Sequence, residues 1–233
     1  MKFEKKGPLN RLDVFDAIKN RHSCRAFIDK PVNKEIVYSI LDIARFAPSG
    51  VNTQPWKIVV LTGSLKLQIS KAIIAAREAG IPEDPDYHYY PTSWREPYKS
   101  RRKACGLALY SAINIQIDEK EKRKEAWYRN YHFFGAPIGL LFFLDSDLEK
   151  GSWVDMGMFI QNVMLAAHGF NLETCPQAAL AEYPNIVRNL LKISNDKSLL
   201  CGMALGYPDN NHPINQYRTV REPVESFTQF IDD

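Results

Sequence analysis

The amino-acid sequence predicts a chain in which strands alternate with helices, α/β or α+β in class, and three observations carry that reading. Short apolar runs of strand character recur at 57–62, 138–144 and 199–205. Between them lie segments whose apolar residues repeat at helical spacing. The chain has 233 residues, 45% of them apolar, which suits one domain over 1–233 that needs no disulfide or metal to fold.

In chain order, 13–20 predicts a short helix with Val14, Ala17 and Ile18 on one side. Asn33 is placed to cap a second, carrying Ile36, Val37, Ile40, Leu41 and Ala44 at helical spacing and stopped by Pro48. Lys57-Ile-Val-Val-Leu-Thr62, closed by Gly63, predicts a strand. Ser64 can cap a third helix reaching Ala79, which Gly80-Ile-Pro82 ends. Residues 81–98 hold four prolines together with Tyr87-His-Tyr-Tyr90 and Trp94. That proline density excludes regular structure, and a loop this long is usually functional or disordered; the aromatics argue against disorder. Residues 100–117 read as a helix, and the mixed-sign run 118–126 reads as a solvated helix face. Ile138-Gly-Leu-Leu-Phe-Phe-Leu144 predicts a fully buried strand, and 153–168, apolar nearly all round, a central buried helix with Gly169 at its C-terminal cap. A last strand covers 199–205, and the tail from Asn211 is Pro-rich and extended.

Composition narrows function by exclusion. Thirty Lys+Arg against 27 Asp+Glu leave +3, too little for a chain whose task is wrapping nucleic acid. The four cysteines form no CxxC, which removes zinc ribbons and dithiol redox motifs. No apolar run can span a bilayer, and the first ten residues lack a signal-peptide core, so the expectation is a cytoplasmic protein without membrane or nucleic-acid partners. The five histidines never pair at i,i+3 or i,i+4, and HExxH, GxSxG, Walker and GxGxxG patterns are absent, so no metal is expected. His168, on an apolar helix, reads as a satisfied core or end-of-helix residue.

Three stretches carry chemistry. Arg21-His-Ser-Cys-Arg25 sets two arginines and a serine where they could hold a phosphate by charge-assisted hydrogen bonds, or be an exposed basic turn. Ala47-Pro-Ser-Gly-Val-Asn-Thr-Gln-Pro-Trp56 leaves a helix for a strand. Its sharp turn allows close backbone approach to a flat ligand, its Asn52 and Gln54 amides match heterocycle edges, and Trp56 would pack beneath; an ordinary connecting loop is the plain alternative. The third stretch is Glu173-Thr-Cys-Pro-Gln-Ala-Ala179, after the buried helix.

Taken in order, Arg-His-Ser-x-Arg-x-Phe, a helix, and Pro-Ser-Gly-x-Asn-x-Gln-Pro-Trp resemble the FMN-dependent nitroreductase family. The Cys-Pro-Gln-Ala block, Cys201-Gly-Met-Ala-Leu-Gly-Tyr207 and Arg218-Thr-Val-Arg-Glu-Pro223 follow in the family's order, so the resemblance covers about 12–230. It implies an α+β fold with a mixed sheet flanked by helices, in an intertwined homodimer with FMN at the subunit interface. By motif matching, Arg21, His22, Ser23 and Arg25 would come from one protomer and Pro48, Ser49, Gly50 and Asn52 from the other. Arg21 and Arg221 would grip the phosphate, with Arg218 beside them, and Arg25 would lie towards the flavin pyrimidine edge. Backbone N–H groups around Gln177 and Ala178, next to Pro176, would face the flavin N5, and Asn130 loosely matches an amide to the flavin ring. The implied activity is ping-pong reduction of nitroaromatics, quinones or related small aromatic acceptors by NADH or NADPH. Reductive dehalogenation, flavin fragmentation and flavin binding without turnover are the alternatives. Two departures stand out: some members carry Glu where this chain reads Pro-Gln-Ala-Ala, and an insertion at about 81–129 matches only a longer subgroup. The 81–98 loop is expected to border the acceptor pocket or to hold the insertion down.

Overall fold

A computed structural model describes residues 13–232. Its helices are α1 (Val14–Asn20), α2 (Lys34–Ala44), α3 (Gly63–Glu78), α4 (Tyr98–Ser111), α5 (Lys120–Tyr128), α6 (Lys150–Gly169), α7 (Pro184–Leu191) and α8 (Pro213–Gln216). The strands are β1 (Lys57–Leu61), β2 (Ile138–Asp145), β3 (Glu173–Gln177) and β4 (Lys197–Gly206), in the order β1-β2-β4-β3. The class is α+β, but the sheet is antiparallel at all three pairings rather than mixed. Among the described residues the parallel component shrinks to one bridge, Ser23 beside Thr174, because the chain turns away from β3 at once to pair Arg25 with Asn215.

β2 is buried on both faces, as its unbroken apolar run requires. Leu140, Phe142 and Leu144 pack with Ile40 of α2 and Phe159 and Val163 of α6. Leu141 and Phe143 face the other way, towards Ile69 and Ile73 of α3 and Val187 of α7. The sheet thus sits between two helical layers, each with its own apolar core.

Several elements match expectation, including α2, whose Asn33 cap accepts from the Glu35 N–H at 2.9 Å. Others differ for local reasons. α3 begins at Gly63, whose φ of 58° only glycine takes easily, so Ser64 lies inside the helix. The helix expected over 100–117 stops at Ser111, because Asn114 adopts a left-handed conformation and turns the chain. At the end of α6 it is Asn171, φ 58°, and not Gly169, that takes the left-handed role. α6 is also not enclosed on all sides: Met156, Phe159 and Val163 are buried, whereas Val154 is 64% exposed and Gly157 is exposed. β3 and α7 are elements the sequence reading did not assign, and the tail includes the four-residue α8 before it becomes irregular. The mixed-sign run is a solvated helix, α5, without a buried side chain.

The 81–98 loop has no helix or strand before Tyr98, yet it is tied down. The Tyr87 hydroxyl donates to the Leu200 carbonyl at 2.6 Å, and its ring meets Trp153 edge-on at 4.5 Å.

Candidate active site

A cavity of about 510 Å³ opens where this loop meets the sheet. Pro176, Gln177 and Ala178, at the end of β3, lie on one side, Tyr87, Tyr89 and Tyr90 on another, and Gly157 and Met164 of α6 on a third. β3 is an edge strand, which is why Pro176, with no N–H to give the ladder, is tolerated there. Ala178 opens a short 3-10 helix, so the first N–H groups of Ala178–Glu182 have no partner within it. Gln177 is 2% exposed; its Nε2 donates to the Asn130 carbonyl at 2.5 Å, while its buried Oε1 has no partner among the described residues. Asn130 therefore acts here through its backbone, since its own amide nitrogen donates to the Trp127 carbonyl.

The basic segment after α1 lies against the same helix. Arg21 is half-buried, and its guanidinium reaches the Met164 sulfur at 4.0 Å, on the cavity wall. Its pKa is lowered by burial and by the nearby Arg221, with Glu173 opposing. The His22 Nδ1 lies 3.3 Å from the Asn20 carbonyl, its buried Nε2 has no partner among the described residues, and burial and Arg218 hold it below the usual imidazole range. Ser23 bridges to Thr174. The Arg25 backbone N–H donates to Asn215 Oδ1 at 2.8 Å, and its guanidinium donates to the Ser23 carbonyl. Arg129 donates to the Arg25 carbonyl at 2.9 Å, and Arg218 to the Asn215 carbonyl. None of Arg21, Arg25, Arg129, Arg218 and Arg221 has a carboxylate oxygen within 4 Å among the described residues. The one acid in the group, Glu173, is 7% exposed and occupied by His168 Nδ1 at 2.5 Å; burial raises its pKa against the pull of His168, Arg21 and Arg218. His168 is thus the satisfied end-of-helix residue expected of it. Such a cation cluster is suited to an anion.

The second predicted half is elsewhere. Pro48, Ser49, Gly50 and Asn52 lie in a loop docked on the N-terminal half of α6, where Gly50 N–H donates to Asp155 Oδ2 at 3.2 Å. Ser49 Oγ accepts from the Gln54 N–H at 3.0 Å, and Trp56 stacks on Phe159 at 4.8 Å in place of a ligand. Asp155 and Met164 are nine residues apart, roughly 13 Å along the helix, so one chain does not bring the loop to Arg21.

Sequence reasoning missed Trp153, Ile160 and Met164, whose side chains lie beside the cavity, because a helix that reads as core gives no sign of a concave face. It also missed Asn215, 4% exposed, whose Nδ2 donates to the carbonyls of Ala26 and Asp209 while its oxygen holds Arg25.

This geometry has relatives. The model of the Nitroreductase family matches residues 18–207. The chain belongs to the nitroreductase family. It is 38% identical to a 4-nitrobenzoate reductase of Pseudomonas putida, over 94% of this chain and 96% of that one. It is 37% identical to a chloronitrobenzene nitroreductase of Comamonas testosteroni, over 94% and 97%. Among solved structures, the FMN and NADPH-dependent nitroreductase NfnB from a Sphigopyxis strain superposes with a TM-score of 0.93 at 34% identity, covering 95% of this chain and all of that one. For this family member, the cavity and cation cluster are the features a flavin mononucleotide must fit. They do: a phosphate would find Arg21 and Arg221 close together with no carboxylate within 4 Å of either among the described residues, Arg221 donating only to Thr219 and Val220 oxygens, and a planar heterocycle would find aromatic walls and a Gln177 oxygen without a partner among those residues.

Proposed function

We propose that the chain is an FMN-dependent NAD(P)H oxidoreductase that reduces nitroaromatics, quinones or similar electron-poor acceptors, acting in the cytoplasm as a homodimer with flavin at the subunit interface. The observation that carries this reading is the cavity lined by Pro176, Gln177 and Ala178, walled by tyrosines and adjoined through Met164 by Arg21, which has no carboxylate oxygen within 4 Å among the described residues. Bound FMN supplies the chemistry by taking hydride from a reduced nicotinamide and passing it to the acceptor.

The chain's own residues do the rest. Arg21, Arg218 and Arg221, with His22 and Ser23 next to them, hold the phosphate. Arg25 places positive charge at the edge of the ring system, where reduction adds negative charge. The N–H groups that begin Ala178–Glu182 and the Gln177 amide fix the ring's orientation. Tyr89 and Tyr90, more than half exposed, offer flat surfaces to an aromatic acceptor, while the hydrogen-bonded Tyr87 anchors the loop and keeps water from that side. α4 and α5 belong to an insertion over about 81–129 within a single domain.

The dimer is supported by what one chain leaves uncovered. Val154 on α6, Phe15 on α1, Phe46 and Val51 near the 48–52 loop, and Phe227 and Phe230 in the tail are all more than 60% exposed. A large apolar interface would cover them and bring the partner's Pro48, Ser49, Gly50 and Asn52 to the Arg21 cluster. Anaerobic mixing of the yellow protein with NADPH tests the activity: the flavin bleaches, and 4-nitrobenzoate then restores its colour. A flavin that NADH and NADPH leave oxidised would reject the reading.

A further inference from the structure

We propose that the basic face of α4 recognises the 2′-phosphate of NADPH, so that the chain prefers the phosphorylated nicotinamide donor; this rests on the flavin-reductase reading above. α4 has fourteen residues and no buried side chain, so it adds nothing to either core. Lys99, Arg102 and Lys103 stand at i, i+3 and i+4, which puts them on one face. No carboxylate oxygen lies within 4 Å of any of them among the described residues, and α4 itself contains no acid. Of the nearby acids, Glu222 pairs with Arg101 at 3.0 Å, and Glu96 accepts from the Ser100 N–H at 3.2 Å.

This face is joined to the cavity by aromatic rings. Tyr89 and Tyr90, both on the cavity wall, have centroids 4.7 Å apart. Tyr90 lies 5.6 Å from Trp94, and the Arg102 guanidinium sits 5.2 Å from the Trp94 ring centroid. A dinucleotide with its nicotinamide in the cavity would carry its adenine along these rings and end at three free cations. Arg102, 5.2 Å from the Trp94 ring centroid, presents a planar fork that matches a phosphate in two-pronged fashion, and Lys99 and Lys103 add point charges. NADH offers a hydroxyl at that position and leaves the same cations in water. The cations around Arg21 are a different set of side chains, although the tail that carries Arg218 and Arg221 is tied to α4 through Arg101–Glu222 and through the Tyr217 hydroxyl, which donates to the Cys105 carbonyl.

The test is titration calorimetry of the flavin-loaded protein with adenosine 2′,5′-bisphosphate and with adenosine 5′-monophosphate, repeated on Arg102→Ala and on Arg102→Ala/Lys103→Ala. All these side chains are exposed, so circular dichroism should show an unchanged fold. The bisphosphate is expected to bind the unaltered protein about tenfold more tightly than the monophosphate, as a charged hydrogen-bonded contact gives, and the double variant to lose that margin. The ratio of kcat/KM for NADPH over NADH should fall about tenfold with it. Equal binding of the two adenosine ligands to the unaltered protein, or a margin that survives the double substitution, overturns the proposal. Tighter binding of the bisphosphate to a protein whose flavin neither nucleotide reduces would uphold the α4 site and reject the reductase reading instead.

Discussion

The segment 21–25 and the loop 48–52 carry the two halves of the candidate site, and the chain treats them in opposite ways. Around 21–25 the backbone is tied into the fold: Cys24 N–H donates to the Thr174 carbonyl at 2.9 Å and Arg25 N–H to the buried Asn215. Around 48–52 the backbone is strained and open: Val51 has φ 44° and is 98% exposed, and Asn52 and Gln54 also have positive φ. A β-branched residue in that region costs stability, set against the loop's own hydrogen bonds: Asn52 N–H to the Ser49 carbonyl, Thr53 N–H to the Gly50 carbonyl and Gly50 N–H to Asp155. One half is therefore tied into the core of its own chain, and the other stands exposed at the edge of it.

Breaking the buried half should have the largest effect. Asn215→Ala removes the acceptor for Arg25 and the donor to Ala26 and Asp209, leaving buried groups unpaired. The expected loss is roughly 3 kcal/mol of folding stability, read by urea denaturation, together with flavin retention. Arg21→Ala should act mainly on binding, because among the described residues the guanidinium donates only to a sulfur, at 4.0 Å. A cost of about 1.5–3 kcal/mol in FMN affinity by fluorescence titration is expected, with the denaturation midpoint unchanged.

The contrast explains what could be read from the sequence. β2 and α2 were legible because unbroken apolar runs and helical periodicity act locally, and Asn33 announces its own helix. β3 was not: Thr-Cys-Pro-Gln alternates nothing, and it becomes a strand because the neighbouring β4 supplies the pairing. The Arg21 cluster and the Pro-Ser-Gly loop were visible as motifs. Their separation along α6, and the joining of Leu200 and Tyr87 around one cavity, depend on contacts more than a hundred residues apart that no local pattern encodes.

A smaller effect sharpens the account of the buried half. Burial lowers the His22 pKa, so its contribution to stability is present above about 6.5, its usual value, and is lost as pH falls through the folded-state value. In flavin-free protein, Tm should therefore drop more steeply between pH 7 and 5 for the unaltered chain than for His22→Gln. Parallel curves would place the ring in solvent.

The most direct test of the two-chain site is a mixed dimer. Arg21→Glu in one chain and Asn52→Glu in the other each break a different half, and differently tagged copies can be co-expressed and purified as the mixed species. If the halves meet across the interface, each parent homodimer is flavin-free, while the mixed dimer keeps one intact site and holds about one flavin per dimer. If each site is built within one chain, both sites of the mixed dimer are broken, and a flavin-free mixed dimer would contradict the account.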